Sequence, residues 1–111
     1  MEATLSKDVL PRKDDKGKLD YTLLDDLAEA LRQVVGVMQW AITEKSTPYP
    51  RGSFRGIHPD RYLAAMLRHY YSTGKDRKGL DHESKMLHLA HVATSALMAL
   101  QNLFEEVQEE K

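Results

Sequence analysis

Apolar residues recur at steps of three and four along three stretches of the chain, and each stretch predicts an amphipathic helix. The first begins at Asp20 and carries Leu24, Leu27, Leu31, Val34, Val35, Met38 and Ile42 on one stripe. Asp25, Asp26 and Glu29 fall in its opening turns, where carboxylates suit the helix dipole. Pro48 disfavours helical geometry in the residue before it, which ends this helix near positions 44–47. A second helix runs from Pro59, a residue suited to the first helical position, to near Gly74, with Leu63, Met66, Leu67 and Tyr70 as its apolar face. The third takes Asp81 as N-cap, with Leu87, Ala90, Thr94, Leu97, Leu100, Phe104 and Val107 as core contacts.

No strand-like alternation, hairpin turn signal or internal repeat interrupts this pattern. It predicts an all-α fold of three main helices with long connections. Residues 1–18 are polar and aperiodic, with Pro11, Gly17 and a charged run at 12–16, and are read as a mobile N-terminal arm. Residues 19–111 form a single helical domain, and the charged segment 105–111 is expected to fray.

Polar residues of catalytic type gather where the third helix begins. Three of the five histidines lie in the window 81–95, and His88 and His91, three apart, share a helix face. Asp81 and Glu83 precede them. On a regular helix Glu83 would point about 140° away from His88 and about 80° from His91. These side chains therefore form one site only if the first turn is irregular or other helices complete it. Arg61, Ala65 and Arg68 make a separate stripe on the second helix, with His69 beside it and a small residue between the two guanidinium groups. The loop between the first two helices holds Arg51-Gly-Ser-Phe-Arg-Gly56. Its arginines can fork onto phosphate oxygens, and its glycines allow close approach of backbone to a ligand.

Composition narrows the chemistry. At 111 residues the chain is one domain, and its net charge of −1 gives no uniform basic surface for a nucleic-acid polymer. The absence of cysteine excludes disulfides, zinc–thiolate centres and cysteine nucleophiles. No apolar run approaches the roughly 20 residues that span a membrane, and the N-terminus lacks a secretory apolar segment, so a soluble, cytoplasmic protein is expected. The Gly-x-Ser-x-Gly elbow, the phosphate-binding Gly-x-x-x-x-Gly-Lys loop, the Gly-x-Gly-x-x-Gly fingerprint and His-Glu-x-x-His are all absent. What remains is carboxylates at Glu44, Asp81 and Glu83, imidazoles at His69, His88 and His91, and arginines at 51, 55, 61 and 68. Carboxylates hold hard divalent ions and arginines neutralise phosphate, a combination suited to hydrolysis of a phosphoanhydride.

The order of these motifs resembles a known family. Lys18-Leu-Asp20, Glu44-Lys45, Arg51-Gly-Ser-Phe-Arg-Gly56, Arg61-Tyr-Leu-Ala-Ala65 with Leu67-Arg-His69, and Asp81-x-Glu-Ser84 with His88-Leu-Ala-His91 succeed one another. This is similar to the phage and bacterial dATP/dGTP diphosphohydrolases, relatives in fold of the all-α MazG-like nucleotide pyrophosphohydrolases. The resemblance implies a homo-dimer or homo-tetramer, in the cytoplasm of the bacterial host if phage-encoded. It implies hydrolysis of a purine deoxynucleoside triphosphate (dGTP or dATP) to monophosphate and pyrophosphate with Mg²⁺ or Mn²⁺.

Carried over residue by residue, Arg51, Arg55, Arg61 and Arg68, with Lys45 and Phe54, would contact substrate. Glu44, Asp81 and Glu83 would hold metal, and Glu83, His69, His88 and His91 would form the catalytic group. The chain departs from the family pattern at Phe54, Lys85 and Ser95, where tryptophan, glycine and asparagine are usual. The rival expectation is a non-catalytic phage protein that sequesters a nucleotide, which would keep the arginines and need no metal.

Overall fold

The computed structural model describes residues 17–109, with side chains to 105. All but the last two residues of the expected arm at 1–18, the side chain of Val107 and the charged tail beyond 105 lie outside the described residues and side chains. The fold is all-helical. A 3-10 segment, Tyr21–Leu27, leads into α1, Ala28–Thr43; α2 is Pro59–Tyr71, and α3 is His88–Glu109. The helix expected from Asp20 thus opens as 3-10, with the Asp20 carboxylate accepting from the Thr22 amide at 3.0 Å. His58 caps α2 by accepting from the Asp60 amide at its Nδ1, and Pro59 occupies the first turn as expected.

Helix α3 is the floor of the molecule. Helix α2 packs along it and α1 crosses it, whereas α1 and α2 do not pack on one another. An open cleft is left between them.

The core is thin. Val34, Val37, Ala90 and Ala99 are its buried apolar residues, joined by the polar Thr73, His91, Thr94 and Asn102. Several expected core contacts are corrected here. Leu24, Leu27, Val35, Met38 and Ile42 of the first stripe are exposed, as are Leu63, Leu67, Leu97, Leu100 and Phe104. The apolar faces are wider than three helices can cover, so one edge of each faces α3 or the cleft and the other faces water.

The third helix also starts later than expected. Asp81 does not cap it. The chain from Leu80 to Leu87 makes a narrow loop closed by an antiparallel bridge between those two residues. The Asp81 amide donates to the Met86 carbonyl at 2.8 Å, and the Lys85 amide to the Asp81 carbonyl at 2.8 Å. Lys85 takes a left-handed φ of 64° to turn the chain. Helix α3 begins only at His88, whose amide donates to the Gly79 carbonyl.

Candidate functional site

Three elements converge at one end of the cleft. Helix α2 brings His69 on its last turns, the loop brings Asp81, and the first turn of α3 brings His88 and His91. Gly79 makes the convergence possible. A side chain there would place Cβ 2.8 Å from the carbonyl oxygens of both Ser72 and Thr73. The bare backbone instead lets the Gly79 amide bond to Thr73 O while its own carbonyl receives the His88 amide. Asp81 then folds its carboxylate back over the loop, accepting from the amides of Glu83 at 3.1 Å and Ser84 at 2.8 Å.

The imidazoles form a compact stack. His69 Nδ1 lies 2.8 Å from His88 Nδ1, and the His69 and His91 rings stack at 4.4 Å and 12°. The edge of Trp40 from α1 closes the far side of His91 at 5.7 Å. Ser84 Oγ sits 2.8 Å from His91 Nε2 and accepts from the Met86 amide, which fixes the ring. Burial first, then the His69 ring, brings the His91 pKa down to about 4. Burial and the neighbouring His88 ring likewise lower His69. Burial alone would raise the Asp81 carboxyl, but the Ser84 amide, His91, the Ser84 hydroxyl and the Glu83 amide outweigh it and hold the pKa below its usual value. At neutral pH His69 and His91 are therefore neutral and Asp81 is ionised, the protonation states that bind a cation.

His69, Asp81 and His88 each offer a donor atom, all within 4.8 Å of one another, so together they can hold a metal ion. Two imidazole nitrogens on one ion, at about 2.1 Å each and a right angle apart, sit about 3 Å from each other. The 2.8 Å between the two Nδ1 atoms is within a few tenths of that. Two imidazoles and one carboxylate make a donor set for first-row transition ions, whereas Mg²⁺ prefers oxygen alone.

Away from this cluster the cleft, about 1380 Å³, is lined by cations: Lys45, Arg51, Arg55, Arg61 and Arg68. It exceeds the roughly 300–1,000 Å³ of ordinary small-molecule pockets and opens widely to solvent. Lys45 Nζ lies over the rings of Trp40 (5.1 Å) and Tyr49 (5.6 Å). The loop 50–57 reaches the opposite wall, turning through Gly52 and Gly56 at φ values of 82° and 86°. The amide of Asn102 in α3 holds this loop, donating to Phe54 O at 2.9 Å and Ile57 O at 2.8 Å.

A basic cleft beside a His/Asp cluster suits phosphate-bearing ligands, and comparison with known proteins names a family. The family described as dATP/dGTP diphosphohydrolase, N-terminal, matches residues 11–111. The chain belongs to this family. No curated protein and no solved structure was found to match it. No helix among the described residues is long and apolar enough to cross a membrane.

Against this diphosphohydrolase family, the residues singled out from the sequence fall into three groups. Arg51, Phe54, Arg55, Arg61, Arg68, Lys45, His69, Asp81, Glu83 and His91 all line the cleft. His88 stands behind His69 within the cluster, outside the cleft lining. Glu44 is exposed at the end of α1 and does not line the cleft. Glu83 faces the end of α1 rather than the imidazoles, accepting from Ser46 Oγ at 3.1 Å and pairing with Lys45 Nζ at 3.7 Å. Trp40 and Asn102 were missed, and Ser84 entered only as part of a motif. Asn102 had a signal: it continues the polar stripe His88, His91, Ser95 along α3 by helical steps.

Proposed function

We propose that the chain hydrolyses a purine deoxynucleoside triphosphate, dGTP or dATP, to monophosphate and pyrophosphate. The observation that carries this reading is the meeting of a cleft lined by five cationic side chains with the His69/Asp81/His88 cluster, two of whose members, His69 and Asp81, line that cleft. His69, Asp81 and His88 would hold a divalent ion, and the two imidazoles favour Mn²⁺ or another transition ion over Mg²⁺. When bound, the ion supplies Lewis-acid polarisation of a phosphoryl oxygen.

The remaining chemistry belongs to the chain's own side chains. Arg61 and Arg68, two turns apart on one face of α2, and Arg51 and Arg55 from the loop grip the triphosphate and offset the charge that develops on departing pyrophosphate. Lys45 approaches from α1's end over an aromatic wall. Glu83, on the cleft side of the loop, accepts a proton from the attacking water. His91, neutral and held by Ser84, supports the His69 ring from behind.

A second copy of the chain completes the molecule in this reading, covering the apolar edges that one chain leaves in water. The test is incubation of the purified chain with each of the four deoxynucleoside triphosphates and Mn²⁺ or Mg²⁺, followed by separation of the products. Monophosphate and pyrophosphate from a purine substrate are expected. Intact nucleotide under every condition contradicts the proposal, and tight binding without turnover would mark a sequestering protein instead.

A further inference from the structure

We infer that Asn102 is a positioning residue for this reaction: it sets the height of the arginine loop over the cleft through the carbonyls of Phe54 and Ile57. The inference rests on the proposed diphosphohydrolase activity.

Asn102 is 4% exposed, in the body of α3, and far in sequence from the loop it holds. Its Nδ2 spends both protons on that loop, at 2.9 Å and 2.8 Å. Its Oδ1 is buried with no partner. A buried acceptor left unpaired costs stability, and asparagine is a poorer helix former than leucine. The residue is thus a net burden to its own helix, and what it provides lies in the loop.

Among the described residues the loop has few other hydrogen bonds to place it. Its internal bonds are three short turns, Ser53 to Pro50, Arg55 to Gly52 and Ile57 to Phe54, and two of its turns pass through glycines at positive φ. Among the described residues one other side-chain tether reaches it, from Arg55 Nη1 to Glu105 at 2.6 Å, a turn beyond Asn102 on the same helix. That pair is solvent-exposed on the arginine side, and exposed pairs contribute little. Arg55 can therefore leave Glu105 for a phosphate oxygen, whereas the two part-buried bonds from Asn102 stay in place. Glu105 keeps a donor when Arg55 departs, because Gln101 Nε2 also reaches it at 3.0 Å. The fixed tether and the exchangeable one together hold in place the backbone that carries Arg51 and Arg55 before substrate arrives. Pre-organisation of this kind shows in substrate affinity first.

The experiment compares the unmodified chain with Asn102→Leu and Asn102→Thr, using dGTP as substrate and Mn²⁺ as metal. Expected for the Leu variant is a KM at least tenfold higher with kcat within about threefold. Amide hydrogen exchange should rise in residues 51–57 and stay unchanged in α2. The Thr variant, which keeps one donor, should fall between the two. Calorimetric Mn²⁺ binding and the melting transition report whether each variant is folded. If the Leu variant does not fold, the Thr variant decides, with a raised KM and faster loop exchange expected. Turnover by the unmodified chain with KM and loop exchange unchanged in the folded variants overturns the role of Asn102 and leaves the activity standing. Absence of turnover in the unmodified chain overturns the activity, and the positioning role falls with it.

Discussion

His91 and Lys85 show what single positions cost and provide near the cluster. His91 has a pKa of about 4 in the fold against 6.5 for a free imidazole. The unfolded chain therefore binds more protons between these values, and stability must rise with pH across that window. Without metal, the chain should be at full strength above about pH 6.5 and should weaken progressively as pH falls toward 4. The loss should be on the order of 2 kcal/mol, read from urea unfolding in the presence of a chelator. His91→Gln should flatten that dependence. Lys85 sits at φ 64°, a conformation that a side chain resists and glycine adopts freely. Lys85→Gly should stabilise the fold by about 1 kcal/mol, and a loss of stability would show that the lysine side chain itself is needed. Backbone geometry is thereby the reason that glycine suits this position, which no reading of side-chain types could supply.

At the scale of elements, the loop 80–87 decides the site. The sequence suggested an N-cap at Asp81, and the carboxylate does accept from the amides two and three residues on. That is the bonding of a helix cap, so the residue pattern is the same in both cases. What differs is the left-handed turn at Lys85 and the bridge between Leu80 and Leu87, and both depend on backbone closure rather than composition. The conflict in angle between Glu83 and the histidines was legible, and its resolution is that Glu83 lies outside the helix. The three helices, the Pro59 start and the arginine-bearing loop were legible because periodicity and proline place them. Gly79 is the element's weak point. Gly79→Ala drives a methyl into two backbone carbonyls and should cost about 2 kcal/mol or more. It should also lower Mn²⁺ affinity, because the same backbone fixes the start of α3, and calorimetry would register both effects.

For the whole molecule, the informative feature is how much apolar surface three helices leave uncovered. Val35, Met38 and Ile42 on α1 and Leu97, Leu100 and Phe104 on α3 are all exposed. A solitary chain of this size rarely carries so much. Light scattering should give a mass at least twice the 12.7 kDa of one chain, and Leu100→Lys with Phe104→Lys should reduce it. A monomer at micromolar concentration would remove the second copy from the account. Which side of each apolar stripe turns inward was not legible, since the stripes are wide enough to serve both a neighbouring helix and a partner.

In the proposed reaction the basic cleft and the His69/Asp81/His88 cluster act together on a nucleoside triphosphate. Its most direct test is dGTP turnover by the chain and by Asp81→Asn, with Mn²⁺ binding measured on both. The unmodified chain should release pyrophosphate, and the release should stop on chelation. In the variant, Mn²⁺ affinity should drop at least tenfold and turnover should fall with it, in a chain that still melts cooperatively without metal. Full turnover by a folded Asp81→Asn chain, or turnover indifferent to chelation, would contradict it.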